Sequence, residues 1–207
     1  MEVKDCMIEI QLDSIKNIRD LGEYKTRDGK TIKRNKLIRS AYFAGAEKKD
    51  VDYLKTQYHL HTVIDLRTYR EIKEKKDLTY DLNYIRLPIV EDFKDGITHE
   101  NQKQHKMPDL TDTYRDIVSD SQYIKNLKSV LVYIMERSKE DGAILWHCSE
   151  GKDRCGIVSA LILKILNVDE SIIFEDYLET NKTNLPKAEK IYQELLNYHN
   201  EDFAYSI

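Results

Sequence analysis

The stretch "AILWHCSEGKDRCGIVSALILKIL", residues 143–166, constrains the fold more than any other part of the chain. A short apolar run bounded by turn residues reads as a buried strand, and the longer apolar segment after the turn reads as a helix. "HTVIDL" (61–66) repeats the buried-strand pattern, and "YIRLPI" (84–89) gives a third short strand ended by Pro88. Helical periodicity lies between them, with Val51, Leu54 and Tyr58 on one face and Ile124, Leu127, Leu131 and Ile134 on another. Strands alternating with helices predict an α/β layer fold, a mostly parallel central sheet flanked by helices. In such folds ligands gather beyond the carboxyl ends of the strands. Cys148 stands at such an end.

The remaining segments fit the same architecture. Asp28-Gly29, between Tyr24 and Ile32, marks a hairpin near the N-terminus. "EDFKDGITHENQKQHKMPD" (91–109) is polar enough for an exposed loop that borders a site, and "ESIIFEDYLETN" and "PKAEKIYQELLNYH" are expected to be the closing helices. Only 7 Gly and 3 Pro interrupt 207 residues, so few segments read as linkers and none as repeats. With 33 basic and 37 acidic residues the net charge is −4, which argues against nucleic acid as a partner. The first residues mix charged and apolar side chains and lack the apolar core of a signal peptide, and no run approaches membrane-spanning length. Cys6, Cys148 and Cys155 make a poor disulfide framework, and no zinc-finger spacing is present. A cytoplasmic location is expected, with export by a route lacking a signal peptide left open.

The charged turn carries the chemistry. Cys148 and Arg154 form a C-x5-R arrangement between strand and helix. A loop curling back there turns successive backbone N–H groups inward, and the helix N-terminus adds partial positive charge, so the concavity suits a phosphate. The same field, with Arg154 and Lys152 nearby, favours thiolate over thiol and would make Cys148 a nucleophile at neutral pH. Arg154 offers a planar fork of donors to two phosphate oxygens, which lysine cannot imitate. Gly151 lets the loop turn without a side chain in the cradle. A lone C-x5-R is also met in chains where the cysteine is merely a small buried residue; His147, Gly151 and Arg154 at one junction weigh against that.

These residues resemble the atypical bacterial tyrosine-specific and dual- or triple-specificity phosphatases that use an HCxxGKDR loop. The resemblance extends to "NIRDLGEYKTRDGKTIKRNKLIRSA" (17–41), "VIDLRTYREI" (63–72) and "EDYLETN" (175–181), and covers most of residues 15–181. It implies the cysteine-phosphatase fold, one phosphatase domain over residues 1–207, no metal or other cofactor, and a covalent phosphocysteine intermediate. The implied partners are phosphorylated proteins or phosphoinositides, with the oligomeric state unspecified.

Carried onto this chain, the resemblance makes Cys148 the nucleophile. Arg154 and the backbone of Ser149, Glu150, Gly151, Lys152 and Asp153 become the phosphate-binding elements. Conventional tyrosine phosphatases keep their acid on a W-P-D loop, which this chain lacks, so Asp153 is the candidate general acid and Asp65 the second candidate. Each has a structural alternative: Asp153 orienting Arg154, and Asp65 pairing with Arg67. Lys152 would supply an extra cation for a second phosphate, His147 would orient the loop, and Arg19, Asp20, Arg39 and Glu71 are expected to be scaffold. Two departures stand out. Cys155 replaces the family's Thr or Ser, a weaker donor that predicts slow breakdown of phosphocysteine and offers Cys148 a disulfide partner. Glu150 puts an acid where relatives have a small residue, which would disfavour polyanionic headgroups. Rival functions are an inositol-polyphosphate phosphatase, a non-catalytic phosphate-binding module, and sulfur transfer or arsenate reduction. The intact Cys148, Asp153 and Arg154 and the N-terminal signature weigh against the last two.

Overall fold

The alternating strands and helices assemble around the strand that precedes Cys148. A computed structural model describes residues 8–90 and 110–197. In chain order the elements are β1 (Ile8–Glu9), β2 (Arg19–Asp20), β3 (Leu37–Ser40), α1 (Lys48–Gln57), β4 (Thr62–Asp65), α2 (Tyr69–Glu74) and β5 (Asn83–Arg86). They continue as α3 (Leu110–Ser119), α4 (Ser121–Arg137), β6 (Ile144–His147), α5 (Asp153–Ile165), α6 (Glu170–Glu179) and α7 (Asn181–Asn197).

The six strands form one sheet in the order β1-β2-β3-β6-β4-β5. β3, β6, β4 and β5 are parallel, whereas β1 and β2 add an antiparallel edge. β3, β4 and β6 are buried at every position, as a parallel sheet covered on both faces requires. Alternation then divides their side chains between two cores. Leu37, Ile64, Ile144 and Trp146 pack with Leu127, Val130 and Ile134 of α4 and Val158, Ile162 and Leu163 of α5. Ile38, Val63 and Leu145 face the other way, onto Val51 and Leu54 of α1. Register fixes the functional edge: His147 lies opposite Ser40 on one side and Asp65 on the other, so three strand ends converge where Cys148 begins.

The expected hairpin is present. Lys25 and Thr31 bridge, and Gly29 adopts φ +79°. On α4, Ile124 is exposed and Val130 takes its place, because the buried face follows Leu127, Val130 and Ile134 while Tyr123 packs inward from the first turn. α7 starts at Asn181, five residues before the expected Pro186. The polar loop 91–109 and Cys6 lie outside the described residues. Among the described residues, no helix is long and apolar enough to cross a membrane.

Candidate active site

Residues 148–152 turn from β6 into α5, and their carbonyls are held from behind. The Ser149 carbonyl accepts from the Tyr42 N–H (3.3 Å), and that of Glu150 from Asn17 Nδ2 (2.9 Å). Arg39 donates from one terminal nitrogen to the carbonyls of Gly151 (2.7 Å) and Lys152 (3.3 Å). In a trans peptide the N–H points opposite to the C=O. Four successive carbonyls fastened to the frame therefore turn the N–H groups of Glu150, Gly151, Lys152 and Asp153 to the opposite side, which makes an anion cradle. Gly151 is needed for this path: its φ is +68°, and a Cβ there would sit 2.6 Å from the Ser40 carbonyl.

Arg39 is fully buried and is paired with Asp176 of α6 (2.8 Å). Asp176 also accepts from Arg19 (2.9 Å) and the Tyr24 hydroxyl (3.1 Å). Burial pushes the Asp176 carboxyl up, but the two guanidinium charges outweigh it and hold it below the usual range. Asp20 accepts from the N–H groups of Gly22 (2.9 Å) and Asn35 (2.7 Å). Arg19, Asp20 and Arg39 are thus scaffold, as expected from the sequence.

Cys148 is buried and free, and its thiol is lowered from 9.0 to about 6. The largest cause is a hydrogen bond from the Cys155 side chain. Burial opposes it, and the Arg154 charge and the Cys155 N–H add to it. Burial and the adjacent thiolate push Cys155 well above its ordinary value, so it stays a donor. Lys152 Nζ lies 3.7 Å from the Asp153 carboxylate.

Arg154 is gripped by Glu71 through two bonds of 2.7 Å, one from each terminal nitrogen. Ser149 Oγ donates to the same carboxylate, and the Thr68 N–H approaches its other oxygen at 2.9 Å. Burial alone would raise Glu71, but the Arg154 bonds and charge, with Ser149 and Thr68, lower it from 4.5 to about 2. Glu71, read as scaffold, therefore touches the site directly. The Thr68-x-x-Glu71 capping box that starts α2 was a visible signal, but its partner lies 83 residues away.

The two candidate acids separate. Asp153, partly exposed at the start of α5, accepts a hydrogen bond from the Tyr114 hydroxyl of α3. Asp65 is fully buried, bound by Arg67 (2.8 Å) and by the Tyr84 hydroxyl. It is thus structural, the alternative role already named. His147 Nδ1 is 3.2 Å from the Cys148 carbonyl, and its Nε2 is 3.1 Å from Asp77. Asp65, Asp77 and His147 do gather within 4.8 Å, an arrangement a metal would accept and one the sequence did not reveal. However, the Arg67 guanidinium already lies against both carboxylates, at 2.8 and 2.7 Å, and occupies the cation's position. Glu150 is paired with Lys187 of α7 (2.6 Å), so its charge is partly answered.

A buried cysteine with a depressed thiol and an arginine locked by Glu71 thus stand together at the end of a central parallel strand. The chain belongs to the tyrosine phosphatase family, whose sequence profile matches residues 10–205. It is 26% identical over 179 residues to a candidate tyrosine-protein phosphatase of Cupriavidus necator, covering 85% of this chain and 64% of that one. It is 33% identical over 72 residues to the triple specificity protein phosphatase PtpB of Mycobacterium tuberculosis, covering 35% of this chain and 25% of that one. The chain spans less than two thirds of the length of these curated relatives. Among solved structures, kinase associated phosphatase is similar over 82% of this chain and 85% of its own, with TM-score 0.47 and 13% identity.

Proposed function

We propose that the protein is a metal-independent phosphatase that hydrolyses phosphotyrosine through a phosphocysteine intermediate. Phosphoserine, phosphothreonine and phosphoinositides are further candidate substrates. The reading rests above all on Cys148, whose thiol falls to about 6 in a loop with outward-fastened carbonyls, so that a thiolate faces a ring of amide donors at neutral pH. Phosphate oxygens would be bound by those amides and by Arg154, which Glu71 orients. The thiolate attacks phosphorus, Asp153 protonates the departing oxygen, and water then breaks the S–P bond. The weak Cys155 donor makes that second step the slower one. A nucleophile only 2% exposed suits a phosphate carried on the long, rigid phenol of tyrosine. The triple specificity of the mycobacterial relative supports the wider substrate range.

The test is phosphate release from a phosphotyrosine peptide, a phosphoinositide panel and phytate, with EDTA and reductant present. Wild type is run beside Cys148→Ser and Asp153→Ala. Turnover of the peptide that Cys148→Ser abolishes is expected. Faster release from phytate would transfer the assignment to an inositol-polyphosphate phosphatase, and no release from any substrate would leave a phosphate-binding module.

A further inference from the structure

Besides Lys152 Nζ at 3.7 Å, Asp153 has a partner from outside its loop. Its Oδ1 accepts from the Tyr114 hydroxyl, and Tyr114 Oη lies 2.6 Å from Tyr177 Oη of α6. The two phenols approach from different helices, and the Tyr177 ring is fixed in place. A Cβ at position 156 would meet the Tyr177 ring at 2.7 and 2.8 Å, so α5 carries a glycine where that ring rests. Glycine inside a helix is less favourable than alanine, and here it makes room for Tyr177. The residue before it, Asp176, is bound by the same Arg39 that fastens the loop carbonyls. The tyrosine pair is therefore registered to the cradle rather than merely adjacent to it.

We propose that Tyr114, backed by Tyr177, is a positioning residue for proton transfer by Asp153: by anchoring Oδ1 it presents Oδ2 to the leaving-group oxygen. This rests on the reading of Asp153 as general acid. As the Cys148 sulfur bonds phosphorus, the P–O bond breaks and its electron pair goes to the leaving oxygen. That oxygen takes the proton from Asp153 Oδ2. Asp153 becomes a carboxylate, and a hydrogen bond to an ionised acceptor is roughly twice as strong as one to a neutral acceptor. The Tyr114 bond thus tightens as charge develops, the condition for lowering a barrier rather than only binding substrate. In the second step water gives its proton to Asp153, its oxygen bonds phosphorus, and the thiolate departs. Burial and the neighbouring Asp153 charge push the Tyr114 phenol above its ordinary range, so it remains a donor throughout.

The test compares Tyr114→Phe, which keeps the ring, with wild type on a phosphotyrosine peptide and on p-nitrophenyl phosphate, whose leaving group needs a proton far less. Because breakdown of phosphocysteine limits kcat, the readout is kcat/KM, which reports the first step, and a loss of about tenfold is expected on the peptide. The loss on p-nitrophenyl phosphate should be several-fold smaller, and adding Tyr114→Phe to Asp153→Asn should cost nothing further. Equal losses on both substrates, or losses that multiply in the double variant, would overturn the proposal. Tyr177→Phe, which removes the backing hydroxyl, should give a smaller loss of the same leaving-group dependence, and it decides the matter if Tyr114→Phe does not fold. If Cys148→Ser abolishes turnover but Asp153→Asn shows no leaving-group dependence, the proposal falls while the phosphatase reading stands. An inactive wild type removes both.

Discussion

Replacing Glu71 by Gln removes the counter-charge of Arg154 while keeping shape and one acceptor. The wild-type carboxylate is nearly buried, and its fall from 4.5 to about 2 corresponds to about 3 kcal/mol of preference for the charged form. Removing one partner of a buried ion pair costs about 3–5 kcal/mol, and the retained amide oxygen places Glu71→Gln nearer 2–4 kcal/mol. The sign with pH follows from the lowered value. The stabilisation is complete above 4.5 and disappears as the pH falls toward about 2. Denaturant unfolding at several pH values should therefore show a wide gap between wild type and Glu71→Gln at pH 7 that narrows on acidification. Inorganic phosphate should stabilise the variant more than wild type, because it supplies the charge that Arg154 has lost. The phosphotyrosine kcat should fall by about 10–100-fold, since a mobile guanidinium no longer meets the transition-state oxygens. A gap that stayed constant down to pH 3, or a variant that melted with wild type, would refute the assignment of Glu71 as the group that holds Arg154.

Cys155→Ala removes the largest influence lowering Cys148, so the midpoint of its alkylation by iodoacetamide should rise from about 6 toward 9.0; a midpoint still near 6 would credit Arg154 and the loop amides instead. Mild peroxide should link Cys148 to Cys155, the sulfenic acid on one being attacked by the thiol of the other with loss of water. Peptide mapping that found only higher acids on Cys148 would count against this. Gly151→Ala, forced into φ +68° and against the Ser40 carbonyl at 2.6 Å, should cost at least about 2 kcal/mol in unfolding experiments. A variant of wild-type stability would mean that the loop path is not required. Because Glu150 is paired with Lys187, Glu150→Ala should raise phosphoinositide rates relative to phosphotyrosine rates and Lys187→Ala should lower them; unchanged ratios in both would remove Glu150 from substrate selection.

What was legible in the chain was local. The strand–turn–helix around Cys148 could be read because its turn chemistry and flanking apolar runs lie within two dozen residues. β1 and β2 could not, since two residues carry no periodicity. β3 was hidden for another reason: "LIRS" is fully buried, yet it contains an arginine and a serine that no apolar pattern admits. Arg39 belongs there because Asp176 arrives from 137 residues away and the loop carbonyls of Gly151 and Lys152 from more than a hundred. The same holds for Glu71 against Arg154 and for Tyr114 against Asp153, pairs whose members lie 83 and 39 residues apart. Each residue type was present to be noticed, but the partner that gives it a role is supplied by the topology.

Those long-range pairs share a physical purpose. Lys152 caps α5 without a side-chain hydrogen bond, so the loop does little to support its own N–H groups. An amide cradle stabilises a transition state only if its dipoles are aimed beforehand, because reorienting them during reaction would consume the gain. Here the aiming is done from behind. Arg39 holds two carbonyls, Glu71 holds the arginine, and the cluster of Asp65, Arg67, Asp77 and His147 holds the strand end from which the loop departs. Buried ion pairs of this kind are poor sources of stability, since desolvation offsets most of their attraction. The apolar cores on the two faces of the sheet supply the stability instead. The buried charges gathered where β3, β6 and β4 end are therefore best understood as the rigid mounting of the 148–152 loop.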